Sequence, residues 1–378
     1  MASATRGRRR LHTKGQAGTA ASPAANMLRH DSWKRGGAGT AEGAAGILPV
    51  QIERIDMMKT IASPSPLEPA TRAFVEGLPD GPPIYTLSPA DARGVLSAVQ
   101  QSVQVALPGT LSEDRTLPVG PAGKTDIRVV RPADAAGTLP AIVYIHGGGW
   151  VLGDKQTHDR LVRELAAGAG AVLIFVDYDR APESQYPNAI EQAYAVARHV
   201  ADHAEVFGAD PARIAVAGDS VGGNMTAAVT LMARERGGPD FVAQLLFYPV
   251  TDASMASASY KQFADGPWLT AKAMAWYWDQ YLPGTARRGE IFASPVNASA
   301  EQLAGLPPAL LIVDENDVLR DEGEAYGRQL AAAGVPVTTV RYNGTIHDFM
   351  MLNPIAETPA ARGAVAQAIG YLRQVFAA

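Results

Sequence analysis

The chain of 378 residues contains no cysteine. That excludes a disulfide framework, a thiol nucleophile and thiolate metal sites, so oxygen and nitrogen groups must carry any chemistry. No run of eighteen apolar residues occurs, which excludes a stable helical membrane insertion. Charge is also sparse: the net value of -5 combines a basic leader, with eight Lys or Arg against two acids in residues 1–50, and an acidic remainder. The basic part is mainly Arg6, Arg8, Arg9 and Arg10 in a Gly/Ala/Ser-rich stretch. It reads as a disordered or flexible leader over residues 1–56 rather than a nucleic-acid-binding element. From Leu11 onward this leader is too polar for a signal-peptide core, so a cytoplasmic protein is expected.

Apolar residues are plentiful at 47%, and their spacing gives the organisation. Strand patterns fall at 125–131, 140–145, 171–178, 213–218, 243–250, 308–313 and 335–341. Several are apolar at consecutive positions, as expected when both faces of a parallel sheet are covered. Helical stretches separate most of them, including 188–206, which ends at Gly208-Ala209-Asp210-Pro211. Two helices at 71–76 and 88–106 precede the first strand, the second capped by Ser88. A segment at 269–281 is unusually aromatic, with Trp276, Tyr277, Trp278 and Tyr281. These patterns predict lid helices over 57–110, a first core half over 111–250, a second lid segment over 251–290 and a second core half over 291–378.

Two glycine-rich turns carry the chemistry. Gly218-Asp219-Ser220-Val221-Gly222 follows the strand 213–218 and opens a helix, a turn that exposes a serine hydroxyl. His146-Gly147-Gly148-Gly149-Trp150 follows the strand 140–145, and its glycines let backbone N–H groups approach a ligand. The expected oxyanion donors are the amides of Gly148, Gly149 and Val221. A serine needs a base, and a histidine base needs an acid to fix its tautomer. His347 follows the last strand and Asp317 the one before it, with Asp314, Glu315 and Asp321 as competitors; the order Ser220, Asp317, His347 suits this architecture. His146 reads as a brace for its loop, His158 as facing solvent or the lid, and His199 with His203 as surface residues. Pocket candidates are Trp150, Asp219, Trp268, Trp278 and Tyr281.

With Asp177-Tyr178, Ala181-Pro182-Glu183, Tyr248-Pro249, Gly266-Pro267, Ser294-Pro295 and the series Asp317-Val318-Leu319-Arg320-Asp321-Glu322, the chain resembles the hormone-sensitive-lipase-like branch of the α/β-hydrolases, bacterial carboxylesterases among them. The resemblance covers roughly residues 60–375. It implies an α/β-hydrolase fold with a mostly parallel central sheet, helices on both faces and a helical lid. It implies Ser220 as nucleophile, Asp317 as orienting acid and His347 as base, acting on short- to medium-chain acyl esters with water and without metal or other cofactor. Members often dimerise, so a homodimer is expected. An amidase or deacylase using the same triad, or a non-catalytic small-molecule binding protein, are the alternatives. Three motifs depart from the family pattern: Asp179-Arg180 replaces an Arg-Leu pair, Asn316 and Val318 flank the acid where tyrosine and proline are frequent, and Val221 replaces alanine.

Overall fold

The computed structural model describes residues 66–378, so the expectations for the leader and for residues 57–65 lie outside it. Helix α1 (Pro69–Glu76) and helix α2 (Pro89–Gln101) come first, each with proline in its first turn, where a missing N–H costs nothing. Ser88 caps α2 by accepting from the Asp91 amide. The helix ends at Gln101, short of the 106 that its periodicity predicted; Val103 and Leu107 beyond it stay exposed, so a longer helix would bury no further apolar face.

Eight strands form one sheet: β1 (Thr110–Leu117), β2 (Thr125–Pro132), β3 (Leu139–Ile145), β4 (Val172–Asp177), β5 (Ala209–Asp219), β6 (Ala243–Phe247), β7 (Ala309–Asn316) and β8 (Val337–Ile346). Their order is β1-β2-β4-β3-β5-β6-β7-β8. Strands β1, β2 and β4 pair antiparallel, and every pairing from β4 to β8 is parallel. The central strands are buried on both faces, as in Ala141 to Ile145 and Val172 to Val176, which accounts for their unbroken apolar runs.

Between the strands lie α3 (Asp159–Ala169), α4 (Asn188–Asp202), α5 (Val221–Arg236), α6 (Ala258–Gln262), α7 (Ala271–Tyr281), α8 (Ala300–Leu303) and α9 (Arg320–Ala332), with α10 (Pro359–Ala377) closing the chain. The path β3–α3–β4 moves one way across the sheet, and the path on to β5 returns past β3. With right-handed crossovers the helices must therefore lie on both faces, and a crevice opens at the carboxyl ends of β3 and β5. Both glycine-rich turns sit at that crevice.

Candidate active site

Ser220 stands between β5 and α5 with φ 54° and ψ -120°. This left-handed backbone is held by two bonds, the Ser220 amide donating to the Phe247 carbonyl at 2.8 Å and the Val250 amide to the Ser220 carbonyl at 3.2 Å. A methyl group on Gly222 would run into the Ile145 carbonyl, and one on Gly218 into the Gly222 carbonyl. Both glycines are needed because the turn presses against the end of β3.

Four candidates for the acid can now be separated. His347 Nδ1 donates to Asp317 Oδ2 at 2.8 Å, and His347 Nε2 accepts from Ser220 Oγ at 2.8 Å. Asp314 Oδ2 is 3.9 Å from Nδ1. Glu315 accepts from the Gly344 amide, and Asp321 from the Ser259 amide and Arg320. The structure thus brings Ser220, Asp317 and His347 together. Burial opposes charge on His347, but the negative charges of Asp317 and Asp348 outweigh it and lift the imidazole to about 9. Asp314, buried beside Asp317, is pushed well above the usual carboxylate range. Asp314, Asp317 and His347 bring one donor atom each within 4.8 Å of one another. Both ring nitrogens of His347 are, however, already committed to Asp317 and Ser220.

The loop after β3 takes left-handed φ values of 101° at Gly148 and 63° at Gly149. Among the described residues no protein acceptor takes the amide of Gly148 or Gly149, and both residues line the cavity with Ser220 and His347. Val221 is the first residue of α5, where helical amides lack internal partners. His146 Nδ1 donates to the Gly147 carbonyl at 2.8 Å, and its ring stacks on Tyr178 at 4.1 Å. Burial, reinforced by the charge of His158, drives its pKa down to about 3, so it braces the loop as a neutral ring.

Asp219 and His158 depart from expectation. Asp219 is wholly buried and lines no substrate cavity. It accepts from Tyr144 at 2.7 Å, from the Gly147 amide at 3.1 Å and from His158 Nε2 at 3.2 Å. His158 accordingly faces neither solvent nor lid; it is a buried partner that holds Asp219 below its ordinary pKa despite burial. This network ties the serine turn to the loop of Gly147.

The cavity above Ser220 measures about 260 Å³. Its floor is Gly148, Gly149, Ser220 and His347, and its roof is apolar, with Leu78, Ile84 and Leu96 from one segment and Trp268, Met274 and Tyr277 from the other. The two segments meet directly, Phe74 lying 5.5 Å from Trp268. Of the aromatic pocket candidates only Trp268 reaches the cavity. Trp150, Trp278 and Tyr281 are a correction: Trp150 stacks on Tyr281 at 4.2 Å and tilts against Trp278 at 4.6 Å, all fully buried behind the wall. Helix α7 has two apolar faces, and the one bearing Ala273, Met274 and Tyr277 fronts the cavity. Composition alone does not say which face is which. Asp348 also lines the cavity, and no sequence signal marked it.

The departures from the family pattern have local roles. Arg180 donates to the Gly153 carbonyl and Asp179 accepts from Gln192, so that pair is fixed by its own bonds. Asn316 donates to the Thr345 carbonyl at 3.1 Å, pinning the end of β7 to the loop that carries His347. His199 and His203 stack on one another at 4.3 Å on the outside of α4, and His203 is exposed.

Residues 142–351, more than half of the chain, match a family model described as alpha/beta hydrolase fold. Carboxylesterase NlhH of Mycobacterium tuberculosis is 38% identical over 319 residues, covering 81% of this chain and 97% of the relative. Ethyl acetate hydrolase of Pseudomonas putida is 37% identical over 254 residues, covering 66% of this chain and 76% of the relative. Among solved structures, a thermostable esterase from Pseudomonas putida superposes with a TM-score of 0.81 at 53% identity, covering 83% of this chain and 98% of that one. With the sheet order, the two glycine-rich turns and these matches in place, the chain belongs to the α/β-hydrolase-fold family, in the hormone-sensitive-lipase-like branch of carboxylic ester hydrolases.

Proposed function

We propose that the protein is a serine carboxylesterase that cleaves short- to medium-chain acyl esters through an acyl-enzyme intermediate on Ser220. The observation that carries the reading is the unbroken relay from Ser220 Oγ through His347 to Asp317, each contact 2.8 Å, at the floor of a small apolar cavity.

His347 takes the Ser220 proton as Oγ attacks the ester carbonyl, and the new oxyanion lies against the amides of Gly148, Gly149 and Val221. The imidazolium, held toward Asp317, then protonates the leaving alcohol as the carbon–oxygen bond breaks. Water repeats the sequence: His347 removes its proton, the hydroxide attacks the acyl carbonyl, and Ser220 Oγ leaves with the proton returned from Nε2. The cavity volume favours short and medium acyl chains over long-chain glycerides, in keeping with a relative named for ethyl acetate. The two apolar segments within 57–110 and 251–290 would serve as the lid.

The test is an alkyl phosphonate probe followed by intact-protein and peptide mass spectrometry, beside a p-nitrophenyl ester series of increasing chain length. One adduct on Ser220, lost in Ser220→Ala together with ester turnover, is expected. Labelling elsewhere, full activity in Ser220→Ala, or faster turnover of a matched amide than of its ester would reject the proposal.

A further inference from the structure

Among the described residues lining the cavity, Asp348 is the sole acid, and no lysine or arginine joins it. Its Oδ1 lies 3.4 Å from His347 Nε2, the nitrogen that faces Ser220. Its Oδ2 accepts from Trp268 Nε1 at 3.1 Å, so the roof indole aims the carboxylate. The side chain is 15% accessible, and no Lys or Arg forms an ion pair with it among the described residues. The backbone adopts φ 67°, a left-handed conformation that side chains rarely hold without support from their surroundings. Together these contacts fix a carboxylate that has no Lys or Arg partner among the described residues, a few ångströms from where the leaving oxygen receives its proton.

We propose that Asp348 is a specificity-determining charge filter, admitting neutral esters, favouring those with a cationic or hydrogen-bond-donating group beside the scissile bond, and rejecting those with a carboxylate there. The inference rests on the Ser220 hydrolysis proposed above. Its physical basis is Coulombic. In surroundings of effective dielectric ~20, like charges about 5 Å apart change a rate by a factor on the order of 10². Burial, joined by the charge of Asp219, raises the Asp348 carboxyl above its ordinary value, against the pull of His347 and the Trp268 N–H. The comparison below is therefore made at pH 8, on substrates that differ only in charge.

Two isosteric pairs test the filter through acetate release. The first is 2-acetoxy-2-phenylacetamide against 2-acetoxy-2-phenylacetate, and the second is acetylcholine against 3,3-dimethylbutyl acetate. The wild-type protein is expected to favour the amide over the carboxylate by about 100-fold in kcat/KM, and the ammonium over its neutral isostere. In Asp348→Asn, which keeps an acceptor for Trp268, the first ratio should fall at least ~10-fold and the second preference should vanish. Asp348→Gly, which suits the left-handed backbone, provides the same comparison if the asparagine variant fails to fold. Ratios unchanged in a folded variant that still cleaves the neutral esters would overturn the filter while leaving the hydrolytic reading intact. A wild-type protein that neither turns over any of the four acetates nor forms the Ser220 phosphonate adduct would remove both.

Discussion

The floor and the roof of the cavity are built differently. On the floor, every functional side chain emerges from a strand end and is held by hydrogen bonds: Ser220 after β5, Asp317 after β7 and His347 after β8, with Asp219 locking the loop of Gly147. The roof comes from two segments outside the sheet and meets the cavity with carbon surface, Leu78, Ile84 and Met274 among it. A hydrogen-bonded relay fails when one atom is removed, because its partners are left buried and unpaired. An apolar surface degrades by degrees, in proportion to the area lost. In the proposed reading, chemistry and selection would be carried by separable parts of the chain, with Asp348 the acid at the seam.

The largest contrast should appear within the floor. Asp317→Asn is expected to lower kcat by about 10⁴, since the imidazole loses the acceptor that fixes its tautomer. Asp314→Asn, whose carboxylate lies 3.9 Å from His347 Nδ1 and is pushed well above the usual range by burial, should cost less than about tenfold. Steady-state kinetics on one p-nitrophenyl ester separates the two; equal losses would mean that the carboxylates act as a pair.

Next comes the seam between floor and roof. A methyl group on Gly149, at φ 63°, would strike the Tyr277 ring, so Gly149→Ala must displace either the loop or the helix above it. If the Gly149 amide donates to the oxyanion, kcat should drop by a factor on the order of 10² to 10³. A change confined to KM would assign the glycine to the roof.

The pH profile is the third probe. Asp317, Asp348, Asp314, Asp219 and the Tyr248 ring surround His347, and its imidazole is raised from 6.5 to about 9. The base form therefore grows as pH rises, so kcat/KM should climb about tenfold per unit below that midpoint and level off above it. The stability that the imidazolium gains from these carboxylates is present in full below pH 6.5 and is lost as pH rises through about 9. A limb already flat at pH 7 would show that Asp348 and Asp317 do not share the imidazolium charge. Smallest of all, Met274→Ala in the roof should raise KM a few-fold for medium chains with kcat nearly unchanged, read from the same ester series.

The sheet and the relay were legible because their signals are local. A strand buried on both faces reads as an apolar run, and a glycine-flanked serine after such a run has few other uses. Strand β1 escaped because Thr110–Leu117 is a polar edge strand exposed along most of its length, without the alternation that marks a half-buried one. The aromatic assignment went astray for a different reason: Trp278 and Tyr277 are neighbours in sequence, yet they point to different surroundings, one to the core and one to the cavity. Asp348 carried no signal, because its importance lies in a left-handed backbone and an indole eighty positions earlier.

The positive-φ backbone at position 220 bears on how the hydroxyl can be exchanged. Threonine is the mildest chemical replacement for serine, but its branched β-carbon is poorly tolerated at φ 54°. An inactive threonine variant would report a refused backbone rather than a lost nucleophile. Cysteine, unbranched and absent elsewhere from the chain, fits the same torsion and would install a single titratable thiol, a spectroscopic and chemical handle at the proposed nucleophile.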